Sequence, residues 1–453
     1  MKKRIVGLET EYGILPFDEK DDKGMFEILA ENLQGEFLPN GGLVYVEVLS
    51  NFPSTHGKVD GNRAAHPEYA TPEILIPDSL KELIAYDKAG ELILSRKLPG
   101  LRLFKNSEDE VEGSRTSFGC HENYSLHTGG LNSEGFRKID RWLNRLEPFF
   151  IARQAIHGSG SIVNGKYHLS QKAKFLYESF FQVKDIGNGS LSDRYSRMHV
   201  SSTDSNMCEM ATYLKVGLTA LMLDLLEEGK LPDIVLDESE KDYNYSIPFH
   251  RLHEWRLDVL LNGKSKKMGV FEILDAYIEK AMRYDGGDDV SNNVLRKTAY
   301  ALDCLKREPM ELKGWLDWIE KKRLLDMFME ADGLSLENNL VKCNALQYHD
   351  IGRRAGWFYD LRYSGKIEEV VTSEEVLKAV SNPPRNTRAW FRGNVMGRWG
   401  ERVHHVDWGR IVFILGELGS YKTGSCHLST DDPFNSYDAK LSELEGMMAG
   451  YES

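Results

Sequence analysis

The sequence predicts an α+β fold, with a large domain of residues 1–380 and a small C-terminal domain of residues 381–453. Three observations support this fold class. The first third contains segments of alternating polarity, the middle has helical periodicity, and Pro383-Pro384 follows the last helix before a short final segment. A chain of 453 residues is long enough for one large domain with an appendage.

Strands are predicted where apolar and polar residues alternate between Gly-, Asn- and Pro-rich loops. The predicted strands of the large domain cover residues 4–14, 43–48, 101–105, 117–126 and 197–201. A further strand is predicted at 410–415 in the small domain, which ends in a polar helix. A sheet built from the first third of the chain is therefore expected to form the centre of the large domain.

Helices are predicted where apolar residues recur at helical spacing. The segments are 79–94, 270–283, 291–305, 312–331 and 373–380. Another helix is expected to be capped by Asp204 or Ser205, to be buried on most sides and to end at Gly229. The charged residues at 320–323 predict a solvated helix face.

Composition excludes several classes of protein. Fifty-seven Lys and Arg against 70 Asp and Glu leave a formal net charge of −13, which argues against general nucleic-acid binding. No apolar run approaches the roughly 18–20 residues of a membrane span, and no secretory signal is recognisable. The five cysteines form no CxxC pair, which argues against a disulfide framework and a structural zinc site and favours a cytoplasmic location.

Polar side chains recur on strands that should bury one face. Glu9 and Glu11 project from the same side of the first strand, and an isolated pair of this kind most often marks a solvent-exposed edge. The same spacing recurs, however, in three further segments, namely Tyr45 with Glu47, His66 with Glu68, and His121 with Asn123, and His199 lies on a fifth predicted strand. Carboxylates and imidazoles on several strands predict a divalent-cation site, and oxygen-rich ligands without thiols favour magnesium or manganese over zinc.

Arginines supply candidate phosphate contacts. Arg197 precedes His199 by two residues, and Arg388 and Arg392 lie in NTRAWFRG. The planar guanidinium binds phosphate oxygens bidentately, although a surface salt bridge is the alternative for each arginine taken alone. The sequence has no GxxxxGK[ST] loop and no GxSxG motif, so a P-loop and an α/β-hydrolase nucleophile are not expected.

A series of motifs extends over essentially the whole chain. They are GLETEYG, NGGLVYVE, HPEYATPE, LFKN, GCHENYS, LSQK, RMHVSSTDSNM, DWIEKKRLLDMF, LQYHDI and PPRNTRAWFRG. In this order they resemble the Pup ligase and Pup deamidase/depupylase family. The resemblance implies a glutamine-synthetase-like fold, in which a curved antiparallel sheet flanked by helices holds ATP and Mg²⁺ and a small C-terminal domain lies behind it.

The resemblance also implies roles for individual residues. The implied metal site comprises Glu9, Glu11, Tyr45, Glu68, His121 and His199, with the two histidines contributing to metal or nucleotide contacts. The implied ATP contacts are Thr71 and Trp408 with the nucleotide and Arg197 and Arg392 with its phosphates.

The catalytic carboxylate departs from the family pattern. The family has Asp two residues after the strand tyrosine, where this sequence has Glu47. Residues 48–65 form an insert where the family has only a few residues, and Asp60 in this insert is a second candidate for the same role. Glu is also able to act as a base, with a carboxylate that reaches about one methylene further.

The resemblance implies that the chain is an ATP-dependent ligase. Such an enzyme joins the γ-carboxylate of a C-terminal Glu on a small Pup-like modifier to a lysine amine of a target protein, and the reaction passes through a γ-glutamyl phosphate. The segment of residues 15–40 is too short to contain the long loop of the deamidase branch, which favours a ligase. In contrast, the segment from TRAWFRG to VDWGRIVFILG is more similar to the deamidase branch. There are three alternatives. The first is a deamidase or isopeptidase on the same scaffold, which would act on a modifier ending in Glu or Gln. The second is a small-molecule carboxylate–amine ligase, and the third is a non-enzymatic nucleotide-binding regulator.

Overall fold

The computed structural model describes residues 1–16, 25–33, 35–50, 63–108, 117–129, 131–176, 180–185, 194–237, 239, 244–284, 287–352, 356–418 and 421–451. The strands are β1 (Arg4–Glu11), β2 (Gly13–Pro16), β3 (Glu36–Phe37), β4 (Leu43–Ser50), β5 (Arg63–Ala70), β6 (Ile74–Ile76), β7 (Leu101–Phe104), β8 (Cys120–Leu126), β9 (Ser161–Val163), β10 (Lys166–His168), β11 (Phe181–Asp185), β12 (Ser196–Val200), β13 (Ile234–Leu236), β14 (Arg256–Leu261), β15 (Lys264–Gly269), β16 (Val403–Val406), β17 (Arg410–Leu418) and β18 (Tyr421–Ser429). The α-helices are α1 (Met25–Asn32), α2 (Leu80–Lys97), α3 (Glu134–Asp140), α4 (Glu147–Ala152), α5 (Gln154–His157), α6 (Glu209–Glu227), α7 (Val270–Arg283), α8 (Asp289–Arg307), α9 (Asp317–Asp332), α10 (Asn339–Gln347), α11 (Trp357–Tyr363), α12 (Ser373–Ser381), α13 (Ala389–Trp399) and α14 (Asp438–Tyr451).

The main sheet is antiparallel and has the strand order β11-β12-β8-β1-β5-β4-β3. Strand β1 lies near its centre and pairs with β8 on one side. On the other side its first half pairs with β6 and its second half with β5. This arrangement of one antiparallel sheet with helices against it confirms the predicted α+β class.

The two faces of this sheet differ in polarity. One face, here called the back face, carries residues that are almost completely buried, including Val6, Leu8, Tyr124, Met198 and Val200. Helices α2 and α6 pack on this side, and α6 is buried along nearly its whole length. Because successive side chains alternate between faces, the polar residues of the same strands point to the opposite side, here called the front face.

The predicted cap of α6 is wrong. The helix begins at Glu209 with Cys208 at its N-cap, and neither Asp204 nor Ser205 caps it. The carboxylate of Asp204 is fully buried and instead accepts hydrogen bonds from backbone N–H groups of two other loops, at Ser159 and at Gln171 and Lys172. The orphan N–H group of Cys208 donates to the carboxylate of Asp317 at 2.9 Å, so a residue distant in sequence satisfies this helix end.

The predicted solvated face at 320–323 is wrong for its first two residues. Glu320 and Lys321 are 1% and 0% exposed. The ammonium group of Lys321 donates to the carbonyl oxygen of Gly160 at 2.8 Å, so this face of α9 is covered by the chain next to β9. Glu320 and Lys321 therefore lie in the interior because each has a partner there, whereas Lys322 and Arg323 are half-buried.

The C-terminal segment has its own cluster of buried apolar residues. It brings together α13, β17 and α14, with Phe391, Phe413 and Leu444 at its centre. Antiparallel strands β16, β17 and β18 form the associated sheet. The domain boundary between residues 380 and 381 stays a prediction. Among the described helices, none combines the length and apolar character needed to cross a membrane.

Candidate functional site

The front face of the main sheet gathers polar residues from five strands. Glu9 lies opposite His121 across β1 and β8, and Glu11 lies opposite Glu68 across β1 and β5. Directly opposed residues in an antiparallel pair point to the same face. The remaining opposed pairs on this face are Tyr45 with Glu68, Glu47 with His66, Asn123 with His199, and Ser125 with Arg197.

Glu9, His121 and His199 form a compact set of possible metal ligands, called here the Glu9 cluster. One ligand atom from each lies within 4.8 Å of the other two. The Oε2 atom of Glu9 is 3.7 Å from His121 Nδ1 and 3.9 Å from His199 Nδ1. His199 Nδ1 also hydrogen-bonds to Asn123 Oδ1 at 3.0 Å, which orients its ring.

The protonation states of Glu9 and His199 suit a cation ligand set. Burial opposes the charge on Glu9, but the neighbouring His121, His199 and Arg197 lower its pKa, so it is a carboxylate. Burial, together with the nearby His121, lowers the pKa of His199 to about 4, against the opposing effect of Glu9. A neutral imidazole and an ionised carboxylate are the forms that bind metal ions.

Three further residues of the predicted metal site surround this cluster. Glu11 is buried, accepts a hydrogen bond from the Gly119 N–H at 3.2 Å, and has Oε1 4.0 Å from His121 Nε2. Glu68 is 1% exposed and lies in register between Glu11 and Tyr45. The donor chemistry fits a divalent cation, with two imidazoles and one carboxylate in the cluster and two carboxylates next to it.

A cleft of about 560 Å³, here called the sheet cleft, extends from the Glu9 cluster along the front face. The sheet contributes Gly7, Glu9 and Arg197 to its lining. The opposite wall comes from the C-terminal segment and includes Trp408 and Asp431. A cluster of possible cation ligands at one end, a guanidinium on the floor and an aromatic ring on the wall are groups that could bind the parts of a nucleoside triphosphate.

The predicted ATP-contact residues divide into two groups. Thr71, Arg197 and Trp408 line the sheet cleft, and the Thr71 hydroxyl accepts a hydrogen bond from the Leu8 N–H at 3.0 Å. Arg392 does not belong to the lining and is 0% exposed. Its assignment to a phosphate stays a prediction.

Arg388 lines the cleft although it precedes Arg392 by only one helical turn. Both guanidinium groups bind the carboxylate of Glu73, which also reaches the cleft. Burial opposes ionisation of Glu73, but the two arginines lower its pKa to about 2. Arg392 is completely buried whereas Arg388 is 8% exposed and reaches the cleft, and the sequence carries no signal for this difference.

Other lining residues were missed by reasoning from the sequence. Gly7 lies on the front face two residues before Glu9, so the period of two could have identified it. Asp407 and Asp431 stand on loops of the C-terminal segment. Loop residues have no periodicity, and the sequence alone contains no comparable signal for them.

The two candidate catalytic carboxylates are placed differently. The backbone of Glu47 lies in β4 opposite His66, on the strand next to Glu68. Its side chain is outside the described part of the structure. Asp60 also lies outside the described residues. The choice between them stays a prediction.

The sequence profile of the family described as Pup-ligase protein matches residues 18–412. This chain belongs to the Pup-ligase family. It is 31% identical to the Pup–protein ligase of Acidimicrobium ferrooxidans, with 98% of each chain covered. It is 32% identical to the Pup deamidase/depupylase of Mycobacterium tuberculosis, with 78% of this chain and 73% of that protein covered.

Two solved structures share the fold of this Pup-ligase family member. The complex between the prokaryotic ubiquitin-like protein Pup and its ligase PafA has a TM-score of 0.82 and 26% identity, covering 100% of this chain and 92% of that one. The structure of PafA with ADP has a TM-score of 0.73 and 25% identity, covering 96% and 95%. The family resemblance predicted from the sequence motifs is thereby confirmed.

Proposed function

We propose that this chain is an ATP-dependent ligase for a small Pup-like protein. It joins the γ-carboxylate of a C-terminal Glu on that modifier to a lysine amine of a target protein. The observation that carries this proposal is the sheet cleft, which is lined by Arg197, Trp408 and Glu9, the last of these grouped with His121 and His199 in the Glu9 cluster. The relatives support the same conclusion, since a Pup–protein ligase aligns with nearly all of this chain.

The residues of the cleft divide the task of holding a triphosphate. Glu9, His121 and His199 would hold a divalent cation, Mg²⁺ or Mn²⁺, which neutralises phosphate charge when it is bound. Arg197 and Arg388 present guanidinium groups to the same cleft and would bind phosphate oxygens. This charge stabilisation allows the γ-carboxylate of the modifier to attack the γ-phosphate, giving a γ-glutamyl phosphate and ADP.

A carboxylate is needed for the second half of the reaction. The lysine amine is a cation in water and must lose a proton before it attacks the γ-glutamyl phosphate and displaces phosphate. Glu47 is the first candidate for this base, and the support for it is that its backbone lies in β4 opposite His66, two residues after Tyr45. Asp60 is the second candidate.

A deamidase or depupylase activity is the second candidate function. It is favoured by the 32% identity with the Mycobacterium tuberculosis protein of that name. On the same scaffold, water rather than lysine would attack the γ-carbonyl, and ammonia or the lysine amine would leave. The two functions thus differ in whether an amide bond is formed or broken.

The cellular setting of this proposal is the cytoplasm. All five cysteines are free, which suits a reducing compartment. The expected partners are the modifier and lysine-bearing target proteins.

The decisive experiment mixes the chain with ATP, Mg²⁺, a lysine-bearing target and a Pup protein ending in either Glu or Gln. Intact mass spectrometry then reads every species. A ligase produces a target–Pup conjugate from the Glu form and consumes ATP. Conversion of the Gln form to the Glu form, or release of Pup from a preformed conjugate, without conjugate formation would instead establish the hydrolase.

Variants identify the base in the same assay. Glu47→Gln should abolish conjugation while ADP still binds, because only the proton acceptor is lost. Glu36→Gln on the neighbouring strand is the control, since Glu36 is exposed. Conjugation that survives in Glu47→Gln and is lost in Asp60→Asn would transfer the role to Asp60.

A further inference from the structure

One buried carboxylate connects the two walls of the sheet cleft. Glu73 follows β5 and belongs to the wall formed by the sheet. Its Oε1 atom accepts a hydrogen bond from Arg388 Nε at 2.7 Å, and its Oε2 atom accepts a short one from Arg392 Nη2. Both arginines belong to the C-terminal segment. We call these three residues the Glu73 junction.

Within this junction, Arg392 holds the aromatic wall. Its guanidinium carbon lies 4.8 Å from the ring centroid of Trp408 and 4.7 Å from that of Phe37. Its Nη1 atom also donates to the carbonyl oxygen of Trp408 at 3.4 Å, and its Nη2 atom donates to that of Gly41 at 2.8 Å. The guanidinium is therefore enclosed by protein groups, and the ring of Trp408 rests on it.

Arg388 holds the adjoining part of the same wall. Its Nη1 atom donates to the carbonyl oxygens of Thr430 and Asp431 at 3.3 and 3.2 Å. Asp431 lines the sheet cleft, as does Arg388 itself. The two arginines thus fix two separate loops of the C-terminal wall to one carboxylate on the sheet.

We propose that Glu73 is a positioning residue for nucleotide binding, and that it acts through Arg392 and Arg388 to hold Trp408 and Asp431 at the correct distance from the sheet. Arg392 in this arrangement supports the wall and does not touch the nucleotide. This inference rests on the proposed function, because it concerns the site at which ATP would bind.

The charge of Glu73 is what the arrangement requires. Without it, two guanidinium groups, each at most 8% exposed, would face each other without the carboxylate that binds both, and Asp407 would be the remaining acidic group acting on Arg392. Removing one partner of a buried ion pair leaves the other charge uncompensated, which is strongly unfavourable. The two walls would then move apart so that water can hydrate the arginines, and the distance across the sheet cleft would change.

The test compares Glu73→Gln and Arg392→Lys with the wild-type chain by calorimetric titration of ADP. Glu73→Gln keeps the size of the side chain and removes its charge, whereas Arg392→Lys keeps the charge and removes the planar fork. For both we expect the Kd for ADP to rise by about tenfold or more. In the conjugation assay the KM for ATP should rise similarly while kcat at saturating ATP stays within about twofold, because the reacting groups are intact.

Arg362→Lys is the matched control. Arg362 is buried, pairs with Glu209 at 2.9 Å and lies on α11, outside the sheet cleft. The control should lose stability, as Arg392→Lys does, without any change in ADP affinity. Glu73→Asp, which restores the charge at a shorter reach, should recover part of the affinity lost in Glu73→Gln.

The outcomes separate this inference from the proposed function. A wild-type chain that binds ADP, together with folded Glu73→Gln and Arg392→Lys chains that bind it equally well, would overturn the positioning role alone. An equal loss of affinity in Arg362→Lys would also overturn it, because the effect would then be general destabilisation. A wild-type chain that binds no ADP would overturn the proposed function and this inference with it.

Discussion

Gly7→Ala should make the protein more stable and its nucleotide binding weaker. Gly7 lies on the floor of the sheet cleft, in the middle of β1. An added Cβ atom would meet only the Thr71 hydroxyl oxygen, at the ordinary contact distance of 3.7 Å. Gly7 is not among the glycines with a positive φ, so alanine fits its backbone without strain.

The size of both effects follows from this position. Glycine in a strand costs roughly 0.5–1 kcal/mol relative to alanine, so the free energy of unfolding should rise by about that amount. The new methyl group would stand on the floor of the sheet cleft, where the proposed function puts the nucleotide. Overpacking of this kind costs about 1–3 kcal/mol, which corresponds to a Kd for ADP about 5- to 150-fold higher.

The assay pairs urea unfolding with titration of ADP. Gly446→Ala is the control, because Gly446 lies in α14 with nothing within 4 Å of an added Cβ. It should also stabilise the chain by about 0.5–1 kcal/mol, through helix propensity, and should leave ADP affinity unchanged. A folded Gly7→Ala chain with wild-type ADP affinity would refute the reasoning, since the nucleotide would then lie elsewhere.

Three further predictions follow from single residues. His199→Ala should weaken Mn²⁺ binding by more than about tenfold, since the loss of even an outer-shell partner of a ligand lowers metal affinity by that factor. Electron paramagnetic resonance of free Mn²⁺ measures the affinity, and an unchanged value would remove His199 from the ligand set. Glu73→Gln should lower the free energy of unfolding by its full amount above about pH 4.5, and the difference from wild type should shrink as the pH falls towards 2, because folding lowers the pKa of this carboxyl from 4.5 to about 2. Urea unfolding of both chains across this range measures the difference, and a difference that does not change with pH would contradict the prediction. Asp317→Ala should lower the free energy of unfolding by about 3 kcal/mol, because the buried N–H groups at the start of α6 lose their acceptor; a chain of wild-type stability would show that another group caps the helix.

The alternation of polar and apolar residues determined much of the site. In β1, β5 and β8 the period of two grouped Glu9 with Glu11, His66 with Glu68, and His121 with Asn123, each pair on one face of its own strand, before any partner strand was known. The same alternation predicted that the front face would be polar. This information is local, because the direction of a side chain on a strand depends only on its position along that strand.

The tertiary structure decided which of these residues meet. His199 joins Glu9 only because β12 and β1 flank β8, and strand order is not encoded in the polarity of any one strand. Arg388 and Arg392 look alike in the sequence, yet one lines the sheet cleft and the other is enclosed by Glu73 and two aromatic rings. The position of a charged side chain in the interior depends on a partner that comes from a distant part of the chain, so only the assembled fold determines it.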